Sequence, residues 1–121
     1  MLRRVLVVDD DRDVRDFVCH ALGDRGYHPF GVNNGREALA YLEVDPLPCA
    51  IVLDLMTPVM TGWEFLTRRR TDERLSQVPV IVLSAVGGQD VLRLEGITTL
   101  LEKPASPESI VDAVRRLPGC S

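Results

Sequence analysis

Three short runs constrain this chain more than anything else in it: Val5 to Val8 (VLVV), Ala50 to Leu53 (AIVL) and Val80 to Leu83 (VIVL). Each is wholly apolar and lacks the alternation of a half-solvated strand. Each therefore predicts a strand buried on both faces, of the kind found in the middle of a parallel sheet. All three end abruptly in polar side chains: Asp9, Asp10 and Asp11 after the first, Asp54 after the second, Ser84 after the third. The carboxyl end of a buried strand is where open α/β sheets carry their chemistry.

The segments between these runs supply helices and two weaker strands. Val14, Phe17, Val18, Ala21 and Leu22 recur at helical spacing and predict one buried stripe, capped by Asp11 or Asp13 and ended by Gly23 or Gly26. His28 to Val32 reads as an edge strand, since Pro29 has no N–H to donate. Asn34 and Glu37 form a capping-box pattern for a helix turning Ala38, Tyr41 and Leu42 inward. Asp45-Pro46 and Pro48 break the chain before the second apolar run. Thr61 and Glu64 repeat the capping box ahead of a helix over Gly62 to Arg70, with Trp63 and Phe65 as packing residues and Trp63 as a fluorescence reporter. Val86 to Gly96 is poorly patterned, so the fourth helical segment is expected to be a turn or two, or a loop. Thr99 to Leu101 gives a second weak edge strand. Ser106-Pro107 opens the last helix, with Ile110, Val111, Val114 and Leu117 as its stripe. The tail, Pro118 to Ser121, is expected to fray.

This βαβαβαβαβα order predicts a flavodoxin-like three-layer α/β sandwich: a five-stranded parallel sheet with helices on both faces. Apolar strands in the middle and weak ones at the edges give the order 2-1-3-4-5, with a crevice between strands 1 and 3. At 121 residues one domain, spanning 1–121, is expected. No apolar stretch approaches the roughly 18 residues of a membrane span, and Met1-Leu2-Arg3-Arg4 does not lead into a secretory signal. A net charge of -4 gives no reason to expect direct nucleic-acid contact. Arg68-Arg69-Arg70, the single basic run, reads as a solvated helix end. Cys19, Cys49 and Cys120 have no metal-like spacing. Cys19 and Cys49 lie in apolar patterns and read as reduced packing residues, which points to the cytoplasm. His20 and His28 lack partners at ligand spacing and read as structural or surface residues.

In such a fold Asp9, Asp10, Asp54, Ser84 and Lys103 meet at one edge of the sheet. Two unit charges about 4 Å apart interact by roughly 4 kcal/mol at an effective dielectric near 20. Three carboxylates that close require a proton or a cation, and an all-oxygen site suits Mg²⁺. Carboxylate, hard metal, ammonium and hydroxyl together make a site for phosphoryl transfer.

VLVVDDD, IVLDLMTPVMTG, VIVLSA and LLEKP, in this order, resemble the receiver domain of two-component response regulators over essentially the whole chain. The resemblance implies that Asp54 is the phosphoacceptor, taking a phosphoryl group from a phosphohistidine on a cognate histidine kinase or phosphotransfer protein. It implies a metal shell of Asp9, Asp10, Asp54 and the backbone carbonyl of Met56, with Asp10 the more direct Mg²⁺ ligand. It makes Ser84 and Lys103 partners of the phosphoryl oxygens, Lys103-Pro104 a cis peptide, and a downstream protein the target.

Two departures stand out. Leu100 occupies the position where many receivers carry a Tyr or Phe that swings on activation, and the stretch from Ser84 to Lys103 is short for the family. They favour a second reading, a receiver-fold docking module working largely without phosphorylation. A third is an aspartyl-phosphate phosphatase of haloacid-dehalogenase type, with Asp9 and Asp11 as nucleophile and acid. There Asp13 replaces the expected small residue, and no room remains for a cap domain. No output domain is attached, so the chain is either a free-standing receiver or part of a longer protein, and its oligomeric state stays open.

Overall fold

The computed structural model describes residues 3–44, 46–85 and 97–121. In chain order the described elements are β1 (Arg4–Val8), α1 (Arg12–Gly23), β2 (His28–Val32), α2 (Gly35–Leu42), β3 (Ala50–Leu53), α3 (Gly62–Arg70), β4 (Val80–Ser84), β5 (Ile97–Glu102) and α4 (Pro107–Arg115). The five strands form one parallel sheet in the order β2-β1-β3-β4-β5. This is the flavodoxin-like arrangement predicted from the apolar runs, with both weak strands at the edges. The expected shortening of the fourth helical segment concerns residues 86–96, which lie outside the described residues.

Period-two alternation along the central strands divides the core into two layers. Val5, Val7, Ala50, Val52, Ile81 and Leu83 face α1 and α4, where Val18, Leu22, Ile110 and Val114 meet them. Leu6, Val8, Ile51, Leu53, Val80 and Val82 face α2 and α3, packing on Ala38, Leu42, Phe65 and Leu66. Each of these Val, Leu, Ile and Phe side chains, fully buried, contributes about 1.5–3 kcal/mol of transfer free energy. The sheet is therefore clamped on both sides, and its strand ends are held in fixed register.

The helix starts follow the expected cap chemistry. Asp11 accepts from the N–H groups of Asp13 and Val14, Asn34 from Glu37, and Ser106 from Ser109. Thr61 and Glu64 form a complete capping box. At α2 the box is modified: the Glu37 carboxylate accepts from the Asn33 N–H at 2.7 Å, one residue further back than a capping box requires.

Four expectations are corrected. Phe17 is 45% exposed and lies at the margin of the α1 stripe, walling an open apolar cleft with Val14, Pro104 and Ile110. Arg69 is not part of a solvated helix end. It is buried, and its guanidinium donates to the carbonyls of Val78 and Ser76 at 3.1 and 3.0 Å. Helical spacing explains this, because Arg69 lies four residues after Phe65 and three after Leu66, on the face those two bury. Burial lowers its pKa from the usual guanidinium value. The tail does not fray: Pro118–Cys120 forms a 3₁₀ turn, and Cys120 is fully buried. Cys49 is not a reduced packing residue but is joined to Cys120 by a disulfide, leaving Cys19 free.

Candidate functional site

Backbone pairing brings the acidic residues together. The Asp54 N–H donates to the Val8 carbonyl at 2.9 Å, so the strand ends carrying Asp9 and Asp54 lie side by side. Carboxylate oxygens of Asp9, Asp10 and Asp54 all lie within 4.8 Å of one another. Asp9 and Asp54 are buried and Asp10 is exposed, so the cluster opens to solvent on the Asp10 side.

Two of the three carboxylates are aimed by the chain that follows them. Asp9 Oδ1 accepts from the Asp11 N–H at 2.9 Å, and Asp54 Oδ1 accepts from the Met56 N–H at 3.2 Å. These are Asx-type turns, in which an aspartate holds the backbone two residues on. The other oxygen of each faces Lys103, whose Nζ lies 2.8 Å from Asp9 Oδ2 and 3.4 Å from Asp54 Oδ2. Lys103 is positioned in turn by its own N–H, which donates to the Ser84 carbonyl at 3.0 Å, and the Lys103-Pro104 peptide is cis. Ser84 is buried at the carboxyl end of β4, on the same sheet edge.

Burial raises the Asp9 carboxyl above its ordinary 3.8, although hydrogen bonds from Lys103 and the Asp11 N–H pull it back. Burial alone would lower the Lys103 ammonium, but the hydrogen bond and charge of Asp9, and then Asp54, outweigh it and hold the group above 10.5. Acid and base thus shift in the same direction, each toward holding its proton. One ammonium against three carboxylates leaves an excess of negative charge. An all-oxygen donor set of that charge fits a hard divalent cation that keeps part of its water shell.

The loop after β3 is braced by residues that carry no charge. The Met60 carbonyl accepts from Thr57 Oγ1 at 2.7 Å and from the Gly35 N–H at 3.1 Å, tying the loop to the start of α2. Gly62 opens α3 against the loop's backbone, where a Cβ would stand 2.6 Å from the Asp54 carbonyl oxygen and 2.7 Å from the Leu55 Cα. Only glycine permits that approach. Val59, at the tip, has φ +70° and is 71% exposed. Across the crevice, the Arg15 guanidinium donates to the Asp9 carbonyl at 2.9 Å and to Asn33 Oδ1 at 2.6 Å. Its stem lies over Gly31, so close that a Cβ there would come within 2.8 Å.

The structure brings Asp9, Asp10, Asp54 and Lys103 into one cluster and puts Ser84 and Met56 on the segments bounding it. Leu100 is half-buried, pairs with Val82 and packs into the layer under α2 and α3. Sequence reasoning missed Arg15 and Gly62. The signal for Gly62 was present, since a glycine directly after an N-cap often marks a close backbone approach. Arg15 had none, because its acceptors are a main-chain carbonyl and the side chain of Asn33, which only the folded chain brings near.

Residues 5–115 match the family described as "Response regulator receiver domain". The phosphate regulon transcriptional regulatory protein PhoB of Escherichia coli (strain K12) is 31% identical over 119 residues, covering 95% of this chain and 51% of that protein. Response regulator Rre1 of Synechocystis sp. is 36% identical over 120 residues, 93% of this chain and 50% of that protein. The chain thus spans about half the length of these curated relatives. The solved structure of chemotaxis response regulator CheY4 of Vibrio cholerae superposes with a TM-score of 0.87 at 32% identity, covering 97% of this chain and 99% of that one.

Proposed function

This chain belongs to the response regulator receiver domain family, and from that premise we propose that residues 1–121 act as one phosphorylation-switched receiver with Asp54 as phosphoacceptor. The observation that carries this reading is the meeting of Asp9, Asp10 and Asp54 within 4.8 Å, with the Lys103 ammonium on two of them. A carboxylate oxygen of Asp54 attacks phosphorus on a partner's phosphohistidine. The new O–P bond forms as the P–N bond breaks, and its electron pair stays on the imidazole nitrogen. The Met56 N–H keeps Asp54 oriented, Lys103 follows the arriving phosphoryl oxygens, and the Ser84 hydroxyl donates to another of them. Asp9, Asp10, Asp54 and the Met56 carbonyl would hold Mg²⁺, which would supply charge neutralisation for the phosphoryl group. The chain then signals through protein contacts. The partners are a cognate histidine kinase or phosphotransfer protein and a downstream protein, and the setting is the cytoplasm. Among the described residues no helix is long and apolar enough to cross a membrane.

Purified chain incubated with Mg²⁺ and a small acyl-phosphate donor should gain one phosphoryl group by intact mass, and Asp54→Asn should abolish it. Fluoroberyllate with Mg²⁺ should change Trp63 fluorescence. Labelling retained at the native site in Asp54→Asn would show that the nucleophile is misassigned. Absence of both the mass gain and the fluorescence change in the unaltered protein would favour the phosphorylation-independent docking module, to which Leu100 already lends support.

A further inference from the structure

At the opposite edge of the sheet from Asp54, four residues that the phosphoryl chemistry does not use are locked together. Cys49, directly before β3, is bonded to Cys120, with Cα atoms 5.5 Å apart and a sequence separation of 71. The Cys120 carbonyl accepts from the Tyr27 hydroxyl at 2.7 Å and from Arg3 Nη1 at 3.5 Å, and the Arg3 guanidinium lies 4.4 Å from the centre of the Tyr27 ring. The Cys49 N–H donates to the Arg4 carbonyl at 2.8 Å. The last turn of the chain is therefore fastened to the amino ends of β1 and β3 by one covalent bond and a few weak ones.

The two sulfurs differ in access. Cys120 is fully buried, whereas Cys49 is half-buried and is the one an external thiolate can reach. Cys19, the free thiol, is half-buried on α1 and is held in its protonated form by burial and the nearby Asp16 charge, so it is a poor competitor for exchange. A phosphohistidine-fed receiver works alongside ATP-consuming kinases, in a compartment where low-molecular-weight thiols keep permanent disulfides rare. A disulfide in such surroundings opens and closes.

We propose that Cys49 and Cys120 form a reversible thiol–disulfide couple, exchanging with glutathione-type thiols, that docks the C-terminal turn on the amino end of β3 when oxidised and releases it when reduced. The proposal rests on the receiver reading for its reducing surroundings. In the reductive direction an external thiolate bonds to Cys49 Sγ. The S–S bond breaks, and its electron pair leaves on Cys120, which takes a proton. A second external thiolate then attacks the sulfur of the first. That step forms the external disulfide and expels Cys49 as a thiolate, which is protonated. Two electrons and two protons pass in all, and glutathione disulfide drives the reverse.

The full chain is equilibrated in reduced and oxidised glutathione mixtures, quenched with an alkylating agent and read by mass spectrometry, with hydrogen exchange followed at Leu117 and Cys120. Cys49 and Cys120 should become alkylated together, at a midpoint inside the glutathione range, while exchange at the turn accelerates by about tenfold or more. Cys120→Ser should show the fast exchange in every mixture, and Cys19→Ser should behave as the unaltered chain. A bond that never forms in oxidising mixtures, that survives fully reduced glutathione, or that opens without faster exchange would overturn the proposal. The fluoroberyllate response of Trp63 is recorded in both redox forms. Its loss in both defeats the receiver reading alone, whereas its presence with no redox change at the turn defeats the couple alone.

Discussion

The two edges of the sheet solve opposite electrostatic problems. At the carboxyl edge, three carboxylates share one ammonium, and the imbalance is left for something from solution to correct. At the amino edge the interactions are internal: a disulfide, a buried phenol on a carbonyl, and a cation over a ring. One edge is built to respond to arriving charge and the other to ignore it. The same four-residue strand, β3, joins them, with Cys49 before its first residue and Asp54 after its last.

Substitutions should separate the edges by their dependence on cations. The largest effect is expected for Gly62→Ala, whose methyl would press on the Asp54 carbonyl. Forcing the loop aside should cost about 3 kcal/mol in urea unfolding and slow phosphorylation with it. Unchanged stability would mean that the loop is slacker than its contacts indicate. Lys103→Ala comes next, removing the ammonium from two buried carboxylates. A loss of about 2 kcal/mol is expected without metal. Millimolar Mg²⁺ should raise the melting temperature of this variant more than that of the unaltered chain. The pH dependence has a definite sign. With its folded value above 10.5, Lys103 stabilises fully below its unfolded pKa, and that contribution is lost as pH rises through the folded value. The variant should lack that alkaline decline. Tyr27→Phe, at the other edge, should cost about 1.5 kcal/mol by leaving the Cys120 carbonyl only the longer bond from Arg3, and calorimetry should find the loss indifferent to Mg²⁺.

The legible parts of this protein were those written locally. Four-residue apolar runs marked the three central strands, and Asp11, Asn34, Thr61 and Ser106 marked helix starts through hydrogen bonds that span three residues or fewer. The acidic cluster was legible because each member ends a strand, so topology alone converges them. What stayed hidden was written at long range. The Cys49–Cys120 bond depends on the last turn folding back to the floor of the sheet, which no spacing announces. Arg69 looked solvated because it sits between two other arginines. Its burial depends on the carbonyls of Ser76 and Val78, which become available when the chain turns back towards β4. Phe17 obeyed the helical period yet met only the edge of a cleft.

Val59 carries a consequence for how this molecule tolerates change. A β-branched residue at φ +70° is held in a left-handed shape costing roughly 1–2 kcal/mol, and with 71% of its surface in water it recovers little of that by packing. The toll falls on a tip whose flanks are pinned by Thr57 and Gly35. Swapping in a residue at home in that shape, as in Val59→Gly, should therefore raise the unfolding midpoint by an amount equivalent to about 1 kcal/mol, with every acidic group untouched. A natural drift at this one site could offset a damaging change elsewhere in the domain.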